Sequence, residues 1–425
     1  MTQPARNIER NVLPNGLVVI TEHMEHVRSV SIGIWLRSGS RREPPHRAGL
    51  AHFIEHMVFK GTERRTAEDI ARQMDSVGGM LDAFTEKEIV CFNAKVLDEH
   101  LGVAFDVISD MVLRPKFDAE EVEREKQVVL EEVRMEEDNP EYVVHEMFTQ
   151  GFWRGHALGR PILGTRETIP QFSRDAMRAA FRTGYAPNNA VLTAAGNCTH
   201  AQLMELAARE FGGSARAELP ARDESPRAEP ALVSRSKREL EQVHICIGTP
   251  SYPLADERRY AISILNNILG GSMSSRLFQN IREKQGLAYA VFSDLNLYSD
   301  AGVQSVYAGT APATAERLIR SVMDEFRKLK TEPVTVEELR RAKDHLKGSL
   351  VLSLESTGAR MSQLARHEMY FNRFFTIDET LAGIEAVTRE ELQKISAGCF
   401  ESERIAAAAL GPPDGFHLTR DLLAC

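Results

Sequence analysis

The sequence predicts a mixed helix-and-sheet chain of two similarly sized domains, the second repeating the first. Three observations predict it. The chain has 425 residues, a length that suits two or three domains and supplies enough apolar sequence for substantial cores. Between Gly212 and Arg235 the composition turns to Gly, Pro, Ala, Arg and Glu, with Pro220, Pro226 and Pro230, as in an exposed linker. Beyond it, Val243-His-Ile-Cys-Ile-Gly248 matches Val30-Ser-Ile-Gly-Ile-Trp35, and the run from Tyr260 to Gly271 matches the run that begins at Leu50. The expected layout is an N-terminal domain over 1–213, a linker over 214–235 and a C-terminal domain over 236–425.

Taken in order, Val12-Leu13 and Leu17 to Ile20 flank a tight Pro14-Asn15-Gly16 turn, the signature of two paired strands. Val30, Ile32, Ile34 and Leu36 alternate with smaller or polar residues, Trp35 excepted, and predict a third strand. A polar loop from Ser38 to Arg47 leads to a helix in Gly49-Leu-Ala-His-Phe-Ile-Glu-His-Met-Val-Phe59. A second helix is expected from Thr66 to Val77, with Thr66 and Asp69 suited to its N-terminal cap and Gly78-Gly79 ending it. A hairpin (residues 79–85 and 88–96) precedes long helices at 99–113 and 118–137, separated by Arg114-Pro115. Gly159 to Gly164 is turn-rich. A helix near Ser173 to Thr183, a strand at Asn189 to Ala195 and a helix from His200 close the first half.

His52, Glu55 and His56 form an H-x-x-E-H pattern inside the apolar run. On a helix His52 and His56 stand at i and i+4 and project from one face, where two imidazoles can share a zinc ion. Glu55 lies on the same side, placed to take a proton from a water activated there. This is the inverzincin order. The competing reading is a buried amphipathic helix whose histidines are satisfied by hydrogen bonds. At the equivalent positions of the second half stand Ile262, Leu265 and Asn266, so that copy keeps the helix and has no metal ligands.

Composition narrows the partners. The net charge is −9 with both signs spread along the chain, which lacks the basic stripe that nucleic-acid binding requires. Cys91, Cys198, Cys246, Cys399 and Cys425 are scattered and show no C-x-x-C spacing, as expected of reduced structural thiols. The first ten residues lack the apolar core of a secretory signal, and no apolar run reaches about 18 residues. These features predict a cytoplasmic protein without a membrane span.

A catalytic zinc usually has three protein ligands and an open position. The acidic helix from Asp118 to Glu137 offers the third. Val122, Val129 and Val133 mark its buried stripe, with Glu125 and Glu132 at the edge of that stripe, two turns apart, and Glu131 pointing well away. The helical wheel leaves Glu121 and Glu136 open, and an acidic solvated face is the competing reading.

Four separated segments, in order, resemble the pitrilysin/insulinase family of zinc peptidases. The likeness is strongest to its short members, the catalytic subunit of mitochondrial processing peptidase and its bacterial relatives. Gly49 to Thr62 resembles the metal helix and Glu123 to Val133 the third-ligand helix. Gly78-Gly-Met-Leu-Asp-Ala-Phe-Thr85 resembles the strand that binds substrate backbone, and Leu269 to Tyr289 the second-domain segment carrying an Arg and Tyr pair. The family's ligand glutamate falls about 75 residues after the second histidine. The resemblance therefore implies Glu132, 76 residues after His56, as third ligand and Glu125 as the additional acidic residue seven positions earlier.

The resemblance further implies an α+β fold of two homologous domains, each a mainly antiparallel sheet covered by helices. It implies one Zn2+ per chain on His52, His56 and Glu132, Glu55 as base, and Arg282 and Tyr289 as catalytic partners. Substrate contacts would come from Phe59, Asp82 and Ala83; the family usually has Asn where this chain has Asp82. The implied activity is hydrolysis of peptides or unfolded, presequence-like segments inside a dimeric chamber. The dimer is expected to be a homodimer, with a heterodimer with an inactive paralogue as the variant. The rival function is a non-catalytic assembly or partner subunit, a class that generally loses part of the metal motif retained here.

Overall fold

A computed structural model describes residues 6–219, 224–413 and 416–425; Pro220 of the expected linker lies outside them. In the first half the elements are β1 (Asn7–Val12), β2 (Val18–His23), β3 (Ser29–Leu36), α1 (Leu50–Val58), α2 (Ala67–Ser76), β4 (Met80–Thr85), β5 (Val90–Leu97), α3 (Leu101–Leu113), α4 (Ala119–Glu137), α5 (Pro140–Phe152), α6 (Arg174–Gly184), β6 (Ala190–Gly196) and α7 (His200–Phe211). The second half continues with β7 (Leu232–Ser236), β8 (Val243–Ser251), α8 (Arg259–Leu269), β9 (Val291–Leu297), β10 (Gly302–Thr310), α9 (Ala315–Thr331), α10 (Val336–Ser353), α11 (Thr357–Arg366), α12 (Ile377–Ala386), α13 (Arg389–Cys399) and β11 (Ala406–Gly411).

These elements form an α+β fold with two sheets. The first has the order β1-β2-β6-β3-β5-β4 and is antiparallel except between β2 and β6. The second has the order β7-β11-β8-β10-β9 and is antiparallel except between β7 and β11. β7 occupies the end of the stretch expected to be linker, because Leu232 to Ser236 find backbone partners along β11.

The compact units are discontinuous in sequence. One comprises Met1–Val133, Arg160–Asp223 and Leu352–Thr376; the other comprises Arg134–Gly159, Glu224–Val351 and Ile377–Cys425. Each sheet thus receives one helix from the opposite half of the chain. In the first unit α11 packs on β2, β3 and β6; in the second α5 packs on β8 and β11.

This arrangement accounts for Trp35. Val30, Ile32, Ile34 and Leu36 enter the main core of the first unit, as their alternation predicts. Trp35 points to the other face, where Met361, Leu364 and Ala365 of α11 cover it, and its Nε1 donates to Thr193 Oγ1 at 2.9 Å. Both faces are buried, so strict alternation of apolar and polar residues is not required. β8 repeats the scheme: Val243, Ile245 and Ile247 join one core, and Cys246 joins the cluster under α5.

The helix caps follow local rules. Thr66 caps α2 in a reciprocal capping box with Asp69, and Ser173 caps α6 through the Ala176 N–H. In the second unit α8 buries Ile262 and Leu265, while Asn266 donates to the Ser293 carbonyl. The positions equivalent to the metal motif thus serve packing. Cys91, Cys198, Cys246 and Cys399 are buried and unpaired. No helix among the described residues is long and apolar enough to cross a membrane.

Candidate metal centre

The site is built on α1, whose N-terminus is fixed before any ligand appears. Gly49 has φ +93°, and a Cβ there would lie 2.4 Å from the Gly164 Cα, so the close crossing of these two loops excludes a side chain. The Glu43 carboxyl group accepts the Gly49 N–H at 2.8 Å and also the Ala51 N–H, supplying acceptor oxygens where the helix presents unsatisfied donors. Phe53 and Met57 then anchor the helix in the core.

From α1, His52 and His56 turn their Nε2 atoms toward Glu132 of α4, at 3.7 Å and 3.5 Å from its two carboxylate oxygens. One donor atom from each of the three residues lies within 4.8 Å of the others. Bonds of about 2.0–2.1 Å to zinc imply a ligand–ligand edge of about 3.3 Å in a tetrahedron, so the donor set fits with small adjustments of rotamer. Val122, Val129 and Val133 are buried as the wheel predicts, placing Glu132 at the rim of the core with its side chain 37% exposed.

Glu125 enters the same cluster from the opposite side. Its Oε1 lies 2.9 Å from His56 Nδ1, and its Oε2 lies 2.7 Å from Lys60 Nζ. It is buried, and burial opposes its charge, but the hydrogen bonds from His56 and Lys60 win and hold its carboxyl below the usual range. For His56, burial works toward the neutral form; the bond to Glu125 and the charges of Glu132, Glu125 and Glu55 outweigh it and raise its pKa. His52 is lowered to about 4 by burial and by His56. A neutral imidazole with a lone pair to give is the form a metal needs.

Glu55 faces the strand at the edge of the sheet. Its carboxylate accepts the Thr85 hydroxyl from the end of β4, and burial, partly offset by that bond, raises its pKa. β4 pairs with β5 alone among the described strands, so its outer backbone edge is available for strand addition. On β4, Asp82 is exposed and Ala83 half-buried. Phe59 is half-buried just past α1, its ring 6.4 Å from Phe92.

Arg282 and Tyr289 belong to the second unit. Arg282 lies in a π-helical turn, Phe278–Lys284, its guanidinium 4.6 Å from the Phe278 ring and 4.8 Å from that of Tyr289. Tyr289 is 83% exposed. Sequence reasoning gave no role to Lys60, Thr85 or Glu43. Lys60 carried a signal, since it stands four residues after His56; the other two contacts depend on tertiary packing.

Residues 18–166 match the insulinase family, peptidase family M16, and residues 171–346 match the peptidase M16 inactive domain. An uncharacterized zinc protease of Bacillus subtilis, YmxG, is 40% identical over 95% of this chain and 98% of its own length. An uncharacterized zinc protease of Mycobacterium leprae is 39% identical over 95% of this chain and 91% of its own. Among solved structures, a protease from Helicobacter pylori superposes with a TM-score of 0.91 at 21% identity, covering 96% of this chain and 100% of that one. A peptidase M16 inactive domain from Pseudomonas fluorescens gives 0.90 at 19%, covering 97% and 100%. An H-x-x-E-H helix facing a glutamate, on paired α+β units, defines the inverzincin class of fold and site. The chain belongs to the insulinase family, peptidase family M16.

Proposed function

We propose that this chain is a zinc-dependent endopeptidase that cleaves unfolded or presequence-like peptides, with one zinc ion per chain on His52, His56 and Glu132. The convergence of those three donors beside Glu55, itself bonded to the edge strand, carries this reading. When bound, zinc polarises the scissile carbonyl and the attacking water. Glu55 takes the water's proton on its carboxylate and returns it to the leaving amine. β4 grips the peptide backbone as an added strand, which demands little of the substrate's sequence. Glu125 and Lys60 keep the His56 ring oriented.

On the family resemblance we assign oxyanion support to Arg282 and Tyr289, and we propose a dimer enclosing the substrate chamber, located in the cytoplasm. Light scattering on purified material tests the dimer. The naming of the relatives as zinc proteases supports the peptidase reading, as does retention of every ligand, which the non-catalytic members of such complexes generally lose.

The test is a library of unstructured peptides incubated with the purified chain, with and without o-phenanthroline. Chelator-sensitive cleavage is expected, abolished in Glu55→Gln with its zinc content unchanged. Stoichiometric zinc without cleavage would move the assignment to a binding or assembly subunit; full turnover in metal-verified Glu55→Gln would remove Glu55 as the base.

A further inference from the structure

α1 has a second functional flank. At 100° per residue, Leu50, Ala51 and Ile54 face away from His52 and His56, and they form the floor of a cavity of about 320 Å³ within the first unit. The remaining walls come from the loop before α1 and from α6, including Ala180. A volume of this order suits a small organic ligand.

The charged groups around this apolar floor are unbalanced. Arg37, Arg42 and Arg47 all line the cavity, and none has a carboxylate within 4.0 Å among the described residues. Arg37 is half-buried, and burial lowers its pKa, so its charge is held there at a cost. The carboxylate in the lining, Glu43, is already committed to the Gly49 and Ala51 N–H groups. Tyr185 adds a second, independent sign. It lines the cavity and is only 7% exposed, and its hydroxyl is buried without a hydrogen-bond partner. Such a hydroxyl costs stability in the free protein, a cost that a ligand acceptor would relieve.

We infer that this cavity is a binding site for a small amphipathic carboxylate, its apolar body on Leu50, Ala51 and Ile54 and its anionic end among Arg37, Arg42, Arg47 and the Tyr185 hydroxyl. The apolar wall accounts for the body, and three guanidinium groups with no carboxylate in direct contact, only Arg37 feeling the more distant Glu368, account for the charge, since paired N–H donors match a carboxylate. The same chemistry is offered by a medium-chain fatty acid and by the C-terminus of a short apolar peptide. The proposal does not rest on the peptidase reading, although the Glu55 carboxylate also acts electrostatically on the Tyr185 hydroxyl.

Isothermal titration of the full chain with octanoate, with the dipeptide Leu-Leu and with octylamine tests this. Saturable binding of at least one carboxylate is expected, with no saturation by octylamine; the tighter of the two acids identifies the source. The double variant Arg42→Glu/Arg47→Glu should weaken binding by a factor of about ten or more. Tyr185→Phe should weaken it several-fold while the thermal midpoint holds or rises, a combination that a merely structural tyrosine would not give. Failure of both acids to saturate at millimolar concentration, equal binding of octylamine, or unchanged affinity in the folded double variant would each overturn the assignment.

Discussion

His56 Nδ1 lies 2.9 Å from the Glu125 carboxylate, which is anchored in turn by Lys60 Nζ at 2.7 Å. With Nδ1 donating its proton to Glu125, the lone pair of His56 is directed from Nε2 toward Glu132. His52 has no such support, since its Nδ1 is buried without a partner. The two imidazoles of one motif are therefore held unequally.

The first prediction follows from that asymmetry. Glu125→Gln should leave the fold intact and lower zinc affinity about 10- to 100-fold, the usual cost of losing the group that orients a ligating histidine. Glu132→Gln, which removes a ligand, should cost more. Competition with a chromophoric chelator ranks the two; equal affinity of wild type and Glu125→Gln would show that Lys60 and packing alone hold the ring.

The Thr85 hydroxyl supplies a second test. It donates to the Glu55 carboxylate and so favours the ionised base, against burial, which raises the pKa. Removing it in Thr85→Val lets burial dominate further. Because the base works ionised, the acid limb of the kcat/KM profile should move to higher pH, with a several-fold loss at the acid end and little change at the alkaline end. A uniform loss across pH would indicate damage to β4 instead.

How far these contacts were legible in the sequence depended on their range. The metal helix was readable because i and i+4 placement is a property of five consecutive residues. The stripe of Val122, Val129 and Val133 correctly put Glu125 and Glu132 at the core's edge, yet periodicity assigns a residue to a face and says nothing of its partner. It took family spacing to separate the expected ligand from its neighbour; the structure places Glu132 by both Nε2 atoms and Glu125 behind His56. The exchange of α5 and α11 between units had no local signature, because their partners on β8 and β3 lie about a hundred or several hundred residues away along the chain. Trp35 was the visible trace of it, a large apolar residue on what an alternating strand would leave as its polar face.

Stability rests partly on the loop that leaves α1. Asp110 of α3 is fully buried, and its carboxylate accepts the Thr62 hydroxyl at 2.6 Å and Arg65 Nη1 at 2.7 Å, with Arg114 at 3.5 Å. Asp110→Ala would remove one of the two carboxylates paired with the largely buried Arg65 and the acceptor of the Thr62 hydroxyl, so a loss of about 1–3 kcal/mol is expected. Urea unfolding measures it, and a loss under about 1 kcal/mol would mean that Asp106, the other partner of Arg65, takes over the charge.

Glu43 makes stability depend on pH with a sign opposite to that of most surface carboxylates. Its carboxylate caps α1 through Gly49 and Ala51, yet burial overrides the help of those N–H groups and pushes its pKa up from 4.5 to about 7. The folded state thus holds this proton more tightly than the unfolded chain does. The resulting contribution is fully present below the unfolded pKa and is lost as the pH rises through the folded one. Glu43→Gln removes the titration while keeping the shape of the side chain. Wild type should therefore be more stable relative to Glu43→Gln at about pH 5 than at about pH 8, by roughly 2–3 kcal/mol at most, with the difference flat above that range. Paired urea titrations cancel every other ionisable group in the comparison, and a stability gap that grew with pH would mean that the helix terminus, rather than burial, sets the charge of Glu43.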